Sequence, residues 1–448
     1  MRHTSGGTVM QRGSLWTIRN YRWWFLADTT DVLAVTVRSF AVSLLAWKVS
    51  HSEAVTGAIV ALENIINLVM MPIGGAIADR CNRRRLMIIE NTAGIILSVI
   101  FTVLVAANLL NTPLLIAVTA AYGLLVGLCG TANDAILKSL VPTEKFASAQ
   151  AIRETRESVV GLLGGTAAGF LYRVFPWLPI AFAAVFYAAG QTATLQLPSQ
   201  GRKAALKGGS SGPGTGGKPK NGTAEVITAQ EIPQGQDPLH SFIRTLREGL
   251  AWAMSKKKFM AALAVGATVN IAFTAIVAGA QIYLIAQGTD SILIGLLDSG
   301  MGTLTLIGSL LANWVSSRIP TGKLIILSLA FDTLCFIPLI FFHSYTAVLI
   351  SLSLMGLPLP SLNTGLYGFI FGKTPDTMQG RATAVFETAA GIFGAVTPAA
   401  IGPVLQLQYG FTITAVIAAV FAAVSLVISI ATSLRTVPRP EKWEDTDL

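Results

Sequence analysis

From Pro142 to Gly169 the chain reads PTEKFASAQAIRETRESVVGLLGGTAAG, and from Pro375 to Gly402 it reads PDTMQGRATAVFETAAGIFGAVTPAAIG. The two stretches lie 233 positions apart (142 to 375). At that one offset Glu154-Thr155 falls on Glu387-Thr388, Ala149 on Ala382, Gly161 on Gly394 and Gly169 on Gly402. Carried outward, the same offset places Gly75 on Gly308 and Arg85 on Arg318. Chance similarity between apolar segments does not explain the paired Glu-Thr. The chain is two related halves in parallel repeat.

Composition says where those halves reside. Of the 448 residues 52% are hydrophobic and 12% charged, with mean hydropathy +0.62, whereas soluble domains carry about 25% charge. So few charges cannot cover the surface of a soluble fold. The apolar residues also form blocks of about the 20 needed to cross a bilayer as a helix. Twelve such blocks are predicted: 23–47, 55–77, 86–107, 114–137, 148–174 and 178–197 in the first half, then 259–286, 292–315, 323–342, 346–369, 382–405 and 411–434. The fifth is the least apolar, because Arg153, Glu154, Arg156 and Glu157 crowd its start. The fold class is all-α and polytopic, with twelve spanning helices in two six-helix bundles. Residues 1–197 form the first bundle, 198–240 a linker, and 241–448 a lead-in helix plus the second bundle.

The net charge of +9 would raise nucleic acid as a partner in a soluble protein. Here it follows from the excess of Lys and Arg in cytoplasmic loops, and no nucleic-acid partner is expected. With the N-terminus inside, the inner side gathers Arg19, Arg22, Arg80, Arg83, Arg84, Arg85, Lys138, Lys145, Arg318 and Lys373, while the outer loops hold Lys48 and Arg173. Both termini are therefore expected in the cytoplasm, in a multi-pass protein of the cell membrane. The first residues lack an apolar region ending in a cleavage site, so the first block should remain as a span. Between the halves KGGSSGPGTGGKPKNG (207–222) has the composition of a flexible linker. After it Leu239, Phe242, Ile243, Leu246 and Leu250 recur at helical spacing among basic residues. That pattern reads either as an amphipathic helix on the inner membrane surface or as a basic lead-in to the next span. Two membrane-embedded halves in parallel repeat are a layout of secondary transporters.

The loop after the second block reads GGAIADRCNRRRLM, Gly74 to Met87. It resembles the loop signature of the major facilitator superfamily, in which Gly, Asp-Arg and a run of basic residues follow at this spacing. The variant here, with LVPTEKFASAQA further on, is similar to the branch of drug:proton antiporters that holds macrolide-efflux and siderophore-export proteins. Asp31 stands where that branch often has an acid. The resemblance implies that the loop latches the two halves in one state. It points to Gly75, Asp79, Arg80, Arg83 and Arg84, with Asp134, Glu154 and Glu387 as partners or helix-start acids on the same side. The chain departs from the pattern in three places. Asn82 replaces the commoner Gly, Thr119 to Ala121 occupy a stretch that holds Arg in many proton-coupled exporters, and the fifth span reads GLLGGTAAG without the usual Gly-Pro.

Ionisable residues inside a membrane are functional candidates by default, because an unpaired charge is expensive there. Arg38 lies near the middle of the first span, with Asp31 seven positions earlier on the same helix face. Glu63 lies midway along the second, with Asn67 one turn on. These four are expected to line a central cavity, with Glu63 as the proton-sensitive acid, unless the charges only lock two helices together. Asp298 in the eighth span is a further candidate, and Glu90 and Asp332 fall on spans that are peripheral supports in the superfamily. Met70, Met71, Phe273, Tyr283, Tyr367 and Phe386 suit either a cavity wall for an amphipathic substrate or ordinary helix packing.

No enzyme and no cofactor are expected. His3, His51, His240 and His343 are scattered, Cys81, Cys129 and Cys335 have no metal or redox spacing, and no phosphate-binding GxxxxGK[ST] is present. No metal site is expected. Energy must come from an ion gradient or the substrate's own gradient. The leading expectation is export of a bulky amphipathic small molecule in exchange for protons. A symporter or facilitator for a polar or anionic nutrient held by Arg38, and a sensor or scaffold without turnover, are the alternatives.

Overall fold

The computed structural model describes residues 15–198, 238–439 and 443; residues 199–237 of the expected linker lie outside the described residues. Before that gap run α1 (Arg19–Ser50), α2 (Glu53–Arg80), α3 (Arg83–Ala106), α4 (Thr112–Cys129), α5 (Thr131–Leu140), α6 (Thr143–Val174) and α7 (Leu178–Leu195). After it run α8 (Pro238–Met254), α9 (Lys257–Ala286), α10 (Ser291–Arg318), α11 (Thr321–Phe341), α12 (Tyr345–Met355), α13 (Leu359–Lys373), α14 (Asp376–Leu405) and α15 (Gly410–Ala431).

Among the described residues eleven helical segments are long and apolar enough to span a membrane. The expected fifth span is α6, whose 32 residues reach about 48 Å at 1.5 Å per residue. Its length suffices, and its charged start keeps it below the hydropathy of the others. The expected fourth and tenth spans are each two helices. The first breaks at Gly130 between α4 and α5, and the second breaks at Gly356 to Pro358 between α12 and α13.

Polar residues set the turns. His51 and Ser52 alone separate α1 from α2. His51 takes a left-handed backbone conformation (φ 47°), and the Ser52 hydroxyl accepts from the Val55 N–H at 3.3 Å. Asn82, the departure from the loop signature, caps α3: its side-chain oxygen accepts from the Arg84 N–H at 3.0 Å. Asn is among the best residues for that position. Asn111 and Asp290 cap α4 and α10 in the same way.

The helices before and after the gap meet along two seams, α6 against α10 and α2 against α14. Small residues permit both. Gly165 backs onto Gly295, so that a β-carbon on Gly295 would overlap the Gly165 carbonyl. In the other seam a β-carbon on Gly402 would lie 2.6 Å from the Glu53 carbonyl oxygen. Not every small residue of the repeat serves this purpose. Gly161 has open space around it, and its repeat mate Gly394 has only Thr274 at 3.8 Å. The amphipathic segment forms α8, which packs on α14 and also reaches α2 and α9. Glu248 of α8 pairs with Arg381 of α14 at 3.1 Å.

Candidate functional site

Arg38 of α1 and Glu63 of α2 form a two-pronged ion pair, with Arg38 Nη1 donating to Oε2 at 2.8 Å and Nη2 to Oε1 at 2.6 Å. The guanidinium is wholly buried, and the carboxylate keeps 15% of its surface exposed. A fixed fork meeting a carboxylate in two parallel bonds is the strong form of this interaction. The guanidinium carbon also lies 3.9 Å above the Tyr122 ring of α4, a cation–π contact. The Tyr122 hydroxyl is held 2.7 Å from Ser98 of α3. Four helices thus fix one charge pair.

Glu63 borders a cavity of about 300 Å³. Thr36, Ser39 and Ser43 of α1 line it with Asn64 of α2, Gly165 of α6, Gln281 of α9 and Asp298 of α10. Asp298 stands where the α6–α10 seam meets this cavity, close enough to Gly165 that a β-carbon there would collide with the carboxylate. Above the cavity the seams are closed. Ser291 donates to the Gly169 carbonyl at 2.8 Å, Gln406 to Ser52 at 2.8 Å, and Arg173 pairs with Asp290 at 3.4 Å. Nearer the cavity Thr166 and Ser299 lie 2.7 Å apart. These bonds join the ends farthest from the Asp79–Arg85 loop, called here the far face; the loop's own end is the basic face.

Asp31 and Asn67 are not among the residues lining this cavity. Asp31 is half-buried two turns from Arg38, about 10 Å by helical rise, and the guanidinium is filled by Glu63 alone among the described acids. Asn64, not Asn67, lines the space; the backbone of Asn67 packs against Gly127. The aromatic candidates are mostly packing residues. Phe386 is buried between Phe259 and Tyr367, and Tyr283 stacks on Phe411 at 4.4 Å.

Comparison with known proteins decides the family. The sequence model of the Major Facilitator Superfamily matches residues 29–278 and 259–448. The chain belongs to the major facilitator superfamily. It is accordingly a multi-pass membrane protein and a secondary transporter of small molecules, not an enzyme. Among curated protein sequences none matches. Solved structures share the superfamily fold at low identity. A bacterial homologue of the iron transporter ferroportin, in an inward-facing state, is 14% identical over 93% of this chain and 99% of its own, with TM-score 0.65. A D-xylose–proton symporter is 13% identical over 96% and 98%, with TM-score 0.63. A bacterial homologue of the human lysosomal transporter Spinster is 15% identical over 94% and 98%, with TM-score 0.61.

The major facilitator loop is tied to its own half. Arg84 donates to the carbonyls of Thr194 and Leu195 at 3.2 and 2.7 Å, capping the end of α7, where a cation suits the exposed carbonyls and the helix dipole. This is not a contact between halves. Gly74, rather than Gly75, makes the close approach: a β-carbon on Gly74 would meet the α4 carbonyls of Gly127 and Leu128, while Gly75 has nothing within 4 Å. Arg83 is half-buried and Glu154 exposed. The side chains of Asp79, Arg80, Asp134 and Glu387 lie outside the described residues.

Sequence reading missed a second buried charge cluster. Asp28 of α1 is 2% exposed. It accepts from Arg156 of α6 at 2.5 Å and from Asn133 of α5 at 2.9 Å. Arg153 stands 3.6 Å away. Trp24, one turn before Asp28, donates to the Asn133 carbonyl at 3.1 Å. The crowded charges of the PTEKFASAQAIRETRE stretch were the available signal, since an Arg that lies buried needs an acid partner.

Proposed function

We propose that this chain exports a bulky amphipathic small molecule in exchange for protons by alternating access, and that it belongs to the macrolide-efflux and siderophore-export branch. In this reading the basic face is cytoplasmic, both termini lie inside, and residues 1–197 and 241–448 move as two bundles joined by the 198–240 linker. The Asp79–Arg85 loop, with Asp134, Glu154 and Glu387, steadies one of the two states.

One observation carries the reading. The cavity between the halves is bordered by two carboxylates, Glu63 and Asp298, and the adjacent cation, Arg38, is already committed to Glu63. Acids in such a cavity can exchange protons, whereas an anionic nutrient finds no available cation among the described residues lining it. Arg38 would have to break two short bonds and leave the Tyr122 face to hold one. The closed far face supports alternating access, because polar bonds between Ser52 and Gln406 and between Arg173 and Asp290 can be broken at modest cost. The test is a panel of amphipathic compounds on cells lacking and overexpressing the protein, with and without an uncoupler. Resistance and efflux that vanish with uncoupler support the reading; uptake of a polar nutrient in their place refutes it.

A further inference from the structure

The two cavity carboxylates have different surroundings. Glu63 is bound by Arg38 of the neighbouring helix, and both residues belong to the first half of the chain, so rocking of the halves leaves the pair intact. Asp298 lies on the seam between halves. Seven residues into α10, about 10 Å from its far-face end by helical rise, it meets Gly165 of α6. Around that contact the seam runs from Gly169 against Ser291 to Leu162 against Gly302. Opening the seam at the far face separates Gly165 from Asp298 and bares the carboxylate to that side. A group couples transport to state only if its interactions differ between states. Asp298 meets that condition through its direct contact across the seam, whereas the Arg38 partner of Glu63 stays with it in both states.

Among the described residues Asp298 has no counter-ion. Across the cavity stand Glu63 and Arg38, which neutralise each other. On α6 it meets Gly165, and Leu162 and Thr166, which meet Gly302 and Ser299, do not titrate; Arg173 and Asp290 pair with each other near the far-face end. On α12 Tyr345 donates to the Leu293 carbonyl at 2.8 Å, and Asp332 of α11 lines neither space beside Asp298. Asp298 also borders a recess of about 10 Å³ with Val277, Gln281, Leu297, Met301 and Leu352, room for about one water. Gln281 lines both the recess and the cavity. The site therefore presents a carboxylate and an amide acceptor, with Phe40, Val42 and Val60 among the hydroxyls of the cavity wall and apolar side chains around the small recess.

We propose that Asp298 is the cation site of the cavity: it binds the charged centre of an amphipathic organic monocation, with the Gln281 side-chain oxygen as a second acceptor, and a proton takes the cation's place on the return step. This rests on the exporter reading above. In the loaded state the carboxylate is ionised and neutralised by the substrate. After the cation leaves, Asp298 takes up one proton at the far face and releases it at the basic face when the next cation binds. One positive charge moves each way, so the exchange is electroneutral.

The test uses the full-length protein in weakly buffered detergent and two probes of equal shape and opposite charge, tetraphenylphosphonium and tetraphenylborate. The cation should bind and release up to one proton per protein. Asp298→Asn should weaken its binding at least tenfold and abolish the release, without weakening the borate. Asp298→Glu should restore the release, and Asp332→Asn, an acid elsewhere in the same half, should keep it. Failure of the phosphonium to bind, or unchanged binding and release in Asp298→Asn, overturns the assignment. Should Asp298→Asn not fold, Gln281→Ala decides: severalfold weaker cation binding with release intact supports the site, and unchanged affinity overturns it. Proton-driven export that survives while these effects fail removes Asp298 and leaves the exporter standing. Cation-linked proton release without proton-driven export keeps the site and removes the exporter.

Discussion

Replacing Glu63 with Gln removes the anion from a guanidinium that has no exposed surface. Two hydrogen bonds between opposite charges, 2.8 and 2.6 Å long, give way to donation from the guanidinium to one neutral amide oxygen. The Arg38 charge then rests on the Tyr122 ring at 3.9 Å, a contact worth about 2 kcal/mol when desolvated. Breaking one partner of a buried pair costs about 3–5 kcal/mol, because the remaining charge stays buried and uncompensated. Removing both partners behaves differently: replacing a buried pair by apolar residues of similar volume is often neutral or stabilising by about 1–4 kcal/mol. Glu63→Gln and Arg38→Met alone should each destabilise by about 3 kcal/mol or more, while Arg38→Met with Glu63→Leu should recover most of the loss. SDS titration in mixed micelles, read by tryptophan fluorescence, measures all three. Single variants within 1 kcal/mol of the parent, or a double variant as unstable as the sum of both, would refute the buried-pair account.

Gly165→Leu should force α6 from α10, raise access to the far face, and show as faster thiol labelling of a cysteine placed at Ser291 in a background lacking Cys81, Cys129 and Cys335; unchanged labelling removes the seam from the mechanism. Charge reversal at Arg173 or Asp290 should shift the same labelling modestly, since the pair is largely exposed and worth about 0.2–1 kcal/mol, and the double reversal should restore it. Asp79→Asn should impair transport far more than protein level, whereas Arg84→Ala, which uncaps α7, should lower stability first; size-exclusion profiles beside transport rates separate the two, and normal flux in Asp79→Asn leaves the loop as a topology determinant.

Periodicity and hydropathy made the helices legible because a bilayer demands long apolar runs whatever the helices later touch. The α6 helix was the weak case, since Arg153 and Arg156 lower its hydropathy while serving to bind Asp28 across helices. The Arg38–Glu63 pair was legible for the same reason the spans were: two opposite charges at one depth on adjacent helices have few other options. Asp31 makes no ion pair with Arg38 among the described contacts, since a shared helix face says nothing of a rise of about 10 Å along it. The seam was not legible. Gly165 and Gly161 look alike in GLLGGTAAG, yet one meets α10 and the other meets open space, a difference set by how two halves dock. Asp298 was legible only as one more acid within a span; its place on the seam follows from that docking.

The central claim is exchange of substrate for protons through this cavity. Purified protein in liposomes, given an outward-directed or inward-directed pH step with no membrane potential, tests it with a cation found to be a substrate in the panel. Electroneutral one-for-one exchange sets a ceiling of tenfold accumulation per pH unit, because each unit is worth about 1.4 kcal/mol. The account predicts uphill movement toward that ceiling, in the direction opposite to the protons, and collapse on adding a proton–potassium exchanger. Equal concentrations on both sides at every pH step would contradict it.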